Sequence, residues 1–292
     1  MSRVVMCHGI GYQYKHRETS LTDWYGALRT GMTDAALQVP SPDEVSAVFY
    51  GNCYRSLGTK GSDSEDEFEG IPRLRFGDVS DPLDSALLEA FAAGVEAPAA
   101  GGKGVTQAVL RRIESSEALG RPPARFAIWL VQQVRRYLDS NDSVRACAQQ
   151  RFERVVTPET RVIVAHSLGS VVAYEALCRD HSDWKVDTLV TLGSPLGLGL
   201  IQERLVPGPL SDGGRRHPRV NRWINIAAGD DPIALMKELG PAFGELVDDR
   251  PVRNTAWFHP GRYMLGGHSL LRYLTTAELA EAVGDALLVG ER

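Results

Sequence analysis

Short, continuous apolar runs rich in β-branched residues alternate with longer segments of helical periodicity along most of this chain. The runs are Val4 to Cys7, Val45 to Tyr50, Arg161 to Ala165, Thr188 to Leu192, Trp223 to Ala228 and Thr255 to Phe258. A strand that is apolar on both faces must be covered on both faces, and the intervening helices supply the cover. The pattern therefore predicts an α/β fold of three layers around a mainly parallel sheet of about six strands. A first helix is expected from about Ser20, where Ser20-Leu21-Thr22-Asp23 reads as a capping box and Leu21, Trp24, Leu28 and Met32 recur at helical spacing. Two amphipathic helices are expected between Arg125 and about Val155, another over Ser170 to Leu177, and a last over Thr276 to Val289.

The stretch from Arg55 to Ala124 breaks the rhythm. It holds the acidic run Asp63 to Glu67, Gly- and Pro-rich punctuation, and helix-like segments at Leu87 to Phe91 and Val105 to Ile113. Some 70 residues without structure would be improbable in a compact domain. The expectation is one domain over residues 1–292 with residues 55–124 inserted as a helical cap or lid. The acidic run reads as a solvated loop rather than a metal site.

The net charge of −5 gives no basic surface with which to track a nucleic acid. No run of 18 or more apolar residues occurs, so no spanning helix is expected. No basic segment followed by an apolar stretch opens the chain, so no secretory signal is expected either. The four cysteines, Cys7, Cys53, Cys147 and Cys178, form no CxxC and no zinc spacing. They read as free thiols in a reducing compartment, and the expected location is the cytoplasm.

Chemistry concentrates in Val162-Ile163-Val164-Ala165-His166-Ser167-Leu168-Gly169-Ser170. This is a strand, a tight turn on a serine, and a helix: a nucleophile elbow. Such a turn needs small residues two before and two after the serine, because strand and helix crowd there. Ala165 and Gly169 satisfy this, whereas Tyr54 and Pro209 block the equivalent position before Ser56 and Ser211. His166 is expected to point away from the cleft and to be structural.

A nucleophilic serine needs a base, and the base needs an acid to orient it. The chain order Ser, Asp, His belongs with this kind of turn. Asp231, in Gly229-Asp230-Asp231-Pro232, is the favoured acid and Asp230 the runner-up. His268, in Gly266-Gly267-His268, is the favoured base over His259 and His217. For a developing oxyanion, the residue after the nucleophile, Leu168, offers one amide. His8-Gly9-Ile10-Gly11 after the first strand offers another, from Ile10 or else Gly11. In a sheet ordered 2-1-3-4-5-6, strands one and three are neighbours, so both loops flank the switch point where ligands bind. Gly193-Ser194-Pro195 reads as a turn or a pocket wall.

With these residues in view, the chain resembles the α/β-hydrolase superfamily, and within it the lipase and esterase branches. The resemblance rests on His8-Gly9-Ile10-Gly11, Ala165 to Ser170, Thr191 to Pro195, Asp231-Pro232 and Gly267-His268-Ser269. The first two segments are also similar to a set of bacterial hydrolases related to the lipid-remodelling deacylases. Ala165 replaces the usual glycine, and the two leading strands of the full fold are missing. The resemblance implies hydrolysis of a small or lipid-like carboxylic ester through an acyl-enzyme, with no metal or organic cofactor. The same residues would serve a peptidase, thioesterase or acyltransferase, and the fold could also serve as a non-catalytic interaction module.

Overall fold

The computed structural model describes residues 2–13, 15–55, 78–93, 124–208, 215–229, 231, 233–253 and 268–289. The elements in chain order are β1 (Val4–Cys7), α1 (Arg17–Asp34), β2 (Val45–Val48), α2 (Pro82–Ala93), α3 (Ala124–Leu138), α4 (Val144–Val155), β3 (Val162–His166) and α5 (Leu168–Leu177). Then follow β4 (Thr188–Leu192), α6 (Gly199–Gln202), β5 (Arg222–Ala228), α7 (Gly240–Phe243), β6 (Val247–Val252), α8 (Leu270–Tyr273) and α9 (Ala277–Val289). The strands form one six-stranded sheet ordered β2-β1-β3-β4-β5-β6. Every pairing is parallel, as the continuous apolar runs imply.

Alternate side chains feed two cores. Val5, Cys7, Ile163, Ala165, Leu189 and Trp223 point into the core beneath α4 and α5. Val4, Met6, Val164, Leu192 and Ile226 point into the core beneath α1, α8 and α9. All four residues of β1 and all five of β3 and of β4 are buried. Parallel strands with both faces covered have no solvent side on which to place polar residues.

Three findings depart from the expectations. The sixth strand of the described sheet is Val247–Val252; Thr255 to Phe258, where a strand is expected, lies outside the described residues. Its sequence, Val-Asp-Asp-Arg-Pro-Val, lacks an apolar signature because it forms an edge of the sheet, where charge and proline discourage further pairing. Helix α1 begins at Arg17, so Ser20 is no cap: its amide donates to the His16 carbonyl at 3.1 Å as an ordinary helical bond. Finally, Cys53 and Cys147 form a disulfide across 94 residues, while Cys7 and Cys178 are free. The spacing of cysteines carries no information about such a pair, since the fold alone brings the residues after β2 beside α4.

Within the segment expected as a cap, α2 contains the Leu87 to Phe91 stretch; the acidic run and Val105 to Ile113 lie outside the described residues. Helix α2 is clasped to α3 by Arg135, whose Nε donates to the buried Asp84 carboxylate at 3.0 Å. Tyr54, beside the disulfide, donates its hydroxyl to the Gln133 carbonyl on α3 at 3.3 Å, and its own carbonyl accepts from Arg136 at 3.0 Å. The cross-link attaches α4, and these bonds attach α3, to the segment that follows β2 at the carboxyl end of the sheet.

Candidate active site

Strand β3 runs straight into Ser167, which turns the chain at φ +54°, ψ −128° and caps α5. Among the described residues, Ser167 and Ala36 are the non-glycine residues with positive φ. Holding an L-residue there costs about 1–3 kcal/mol, supplied by the packing on either side. That packing explains the glycines. A Cβ on Gly169 would lie 2.3 Å from the His8 carbonyl oxygen, and one on Gly9 would lie 2.7 Å from the Ser167 Cβ. Neither position admits alanine, whereas Ala165 sits buried in the strand without difficulty.

His268 enters just before α8, and its Nε2 lies 2.9 Å from the Ser167 Oγ. Its Nδ1 lies 3.0 and 2.9 Å from the two oxygens of Asp231, which follows β5. A carboxylate accepts, so Nδ1 carries the proton and Nε2 is left to accept from the serine hydroxyl. Asp231 also accepts from the Ile233 and Ala234 amides at 2.8 and 3.1 Å and from the Tyr273 hydroxyl at 2.6 Å. Burial by itself would raise this carboxyl. The charge on His268, the His268 and Tyr273 hydrogen bonds and the Ile233 amide outweigh burial and hold it well below the usual carboxylate range. Asp231 is therefore an anion throughout the neutral range. Gly193, at φ +54°, leaves room for this assembly, since a Cβ there would lie 2.5 Å from Asp231 Oδ2 and 3.0 Å from His268 Nδ1.

The structure thus brings together Ser167, Asp231 and His268. Asp230 and His259 lie outside the described residues, and His217 is exposed beside Gly244. Leu168 is the first residue of α5, so its amide has no partner within the helix. Ile10 lines the same cleft as Ser167, and Gly11 sits at φ +101° with open space around it.

Two residues carry structural work that the sequence did not signal. His8 pins the loop bearing Ile10: its Nδ1–H donates to the Gly9 carbonyl at 2.6 Å and its Nε2 accepts from the Tyr50 amide at 3.1 Å. The ring also stacks on Tyr50, with centroids 4.3 Å apart. Burial lowers its pKa to about 4, against the small upward pull of the Gly9 carbonyl. Tyr273 is the other; it holds Asp231 and accepts from the Ala228 amide at 2.9 Å. A tyrosine in a helix reads as core, and only its contact with Asp231 reveals more.

The cleft above Ser167 is apolar. Leu87 of α2 and Leu130, Val131 and Val134 of α3 line one side; Pro195, Leu198, Ile201, Ile233 and Leu235 line the rest. Ser167 and His268 are the polar side chains among the described lining residues. Pro195 makes the Gly193-Ser194-Pro195 turn a wall of the cleft, while Ser194 accepts from the Leu196 amide at 3.2 Å and bonds to Ser170 at 2.7 Å. Among the described residues no group of three or more His, Cys, Asp or Glu is placed to hold a metal, and no helix is long and apolar enough to cross a membrane. Compared with known protein families, with curated proteins and with solved structures, the chain has no match.

Proposed function

We propose that this chain is a serine hydrolase with an α/β-hydrolase fold that cleaves a carboxylic ester through an acyl-enzyme. The observation that carries the reading is the unbroken hydrogen-bonded chain from Asp231 through His268 to Ser167, ending in an apolar cleft. Strands β3 and β5 deliver Ser167 and Asp231 to the carboxyl edge of one sheet, where ligands bind in open α/β folds, and His268 joins them from just before α8.

Each step balances without a cofactor. Ser167 Oγ attacks the ester carbonyl carbon as its proton passes to His268 Nε2. Asp231 holds the imidazole and stabilises the imidazolium. The carbonyl oxygen becomes an oxyanion facing the amides of Leu168 and Ile10 or Gly11, each donor worth about 3 kcal/mol in such sites. Collapse of this intermediate expels the alcohol, which takes the proton from His268. Water then attacks the acyl-enzyme by the same route in reverse, releasing the acid and restoring Ser167.

An uncharged acyl chain suits the cleft better than a peptide or a charged metabolite, since no Asp, Glu, Lys or Arg lines its described walls. Apolar surface removed from water contributes about 0.8 kcal/mol per methylene, so acyl length should register in kcat/KM. The proposed substrate is therefore a small-molecule or lipid-like ester, free or presented at a surface. The Cys53–Cys147 cross-link counts against the reducing cytoplasm expected from the sequence, because disulfides persist in oxidising compartments.

Active-site labelling with a fluorophosphonate, together with turnover of aryl esters of rising acyl length, an anilide and a thioester, tests the proposal. The expected result is labelling of Ser167, none of Ser167→Ala, and turnover of esters above the anilide and thioester. A wild-type protein that is neither labelled nor active on any ester would refute it and favour the interaction-module reading. Preference for the anilide or thioester would move the activity to peptidase, thioesterase or acyl transfer.

A further inference from the structure

His166, beside the nucleophile, has no place in the steps above and does not line the cleft. It is buried at 6% exposure, and its ring lies against that of His268 with centroids 4.5 Å apart. Its Nε2 lies 2.8 Å from the His268 main-chain carbonyl oxygen. A carbonyl only accepts, so the proton of His166 is on Nε2. Its Nδ1 has no hydrogen-bond partner. One donor, one tautomer and one acceptor define the contact completely.

We infer that His166 is a positioning residue that sets the register of the base, holding the His268 main chain so that its imidazole reaches Ser167 and Asp231 together. The inference rests on the reaction proposed above. Its physical basis is the unequal support of the two partners. Ser167 is fixed by the strand and helix on either side, and its amide donates to the Leu192 carbonyl at 2.9 Å. His268 precedes a helix of only four residues, and its ring must meet two partners on different loops. The bond from His166 ties the base to the last residue of β3, the strand that also carries the nucleophile. Nucleophile and base are thereby referenced to one rigid element. A displacement of about 1 Å at such a site costs on the order of 100-fold in rate.

Proton uptake by His268 also favours a neutral His166 ring. An imidazolium 4.5 Å from His268 would oppose the second positive charge that arises when the base takes the serine proton. The titratable groups facing His166 are His268, Asp231, His8 and Tyr273, whose ring centroid lies 6.0 Å away. Burial, then the charge on His268, lowers the His166 pKa to about 3, in spite of Asp231.

The test uses the full chain and three variants. His166→Phe keeps a buried planar ring without the donor. His166→Gln places an amide N–H where Nε2 stands. His166→Asn keeps a donor that is too short to reach. The expected result on an activated ester is a 30- to 100-fold fall in kcat for Phe and Asn with KM changed less than twofold, and recovery to within about threefold for Gln. A second readout needs no substrate: the low-field proton on His268 Nδ1, seen by NMR, should persist in the wild type and Gln variant and broaden or vanish in Phe and Asn. Full activity and an intact proton signal in Phe would overturn the inference. So would equal losses in Phe and Gln, which would make the ring itself the requirement. If Phe fails to fold, the Gln and Asn pair decides alone. A wild type that hydrolyses no ester would refute the proposed activity, while the proton signal would still settle whether His166 positions His268.

Discussion

Below pH 6.5 an unfolded chain protonates His8, but the folded protein resists. The His8 Nε2 accepts from the Tyr50 amide, so a proton there would set two N–H groups head to head, and the ring is 1% exposed. Its folded pKa is lowered from 6.5 to about 4, chiefly by burial. The sign follows from proton counts. Between pH 6.5 and 4 the unfolded state holds the extra proton, so stability is complete above pH 6.5 and falls as the pH drops. Each pH unit in that window costs about 1.4 kcal/mol, hence about 3 kcal/mol for His8 by pH 4. That is a large share of a typical folding free energy of about 5–15 kcal/mol. His166 adds a loss of the same sign, and the buried Glu175, whose carboxyl is raised by burial, works in the opposite sense above about pH 4.5. Urea unfolding at intervals from pH 7.5 to 4.5, for the wild type and His8→Gln, isolates the His8 contribution. The wild-type curve should lose stability with a slope steeper by about 1.4 kcal/mol per unit below pH 6. Parallel curves would refute the reasoning, because they would mean that His8 takes up its proton equally in both states.

Other perturbations follow from the same geometry. Tyr273→Phe removes a charge-assisted hydrogen bond from Asp231 and strands the buried Ala228 amide, so unfolding free energy should fall by about 2–4 kcal/mol. In the same variant kcat on an activated ester should fall about tenfold with KM steady; unchanged kcat would mean that Asp231 needs no help from Tyr273. Gly193→Ala meets both an unfavourable φ and the Asp231 carboxylate, and a folded, fully active Gly193→Ala protein in a turnover assay would contradict the packing described. Cys53→Ser opens a cross-link spanning 94 residues and should lower stability by about 2–4 kcal/mol in denaturant titrations, with the wild type under reductant matching the variant.

The legible parts of the fold were those whose cause is local. Strands β1, β3, β4 and β5 stood out because burial on both faces leaves an unbroken apolar run. Strand β6 did not, because an edge strand is half solvated and carries Asp248, Asp249, Arg250 and Pro251. The start of α1 was misread by one turn because Ser20 to Asp23 matches a cap pattern while the helix simply continues through it. The serine turn was legible because the room that a strand-to-helix turn needs beside Ser167 is written in the nearby Ala165 and Gly169, whereas the crowding of Gly9 against Ser167 appears only in the folded chain.

From the sequence alone come the parallel α/β class, the place of Ser167 at a strand end, and the small set of acids and bases that could serve it. The reason is that periodicity, turn chemistry and steric room act over a few residues. Only the tertiary structure decided that His268 Nδ1 meets Asp231, that Tyr273 bonds to Asp231 Oδ2, that His166 bonds to the His268 main-chain carbonyl and that Cys53 pairs with Cys147. Those contacts join residues separated by 37, 42, 102 and 94 positions. They depend on where strand ends and helix faces converge in space, and no local spacing in the chain encodes that convergence.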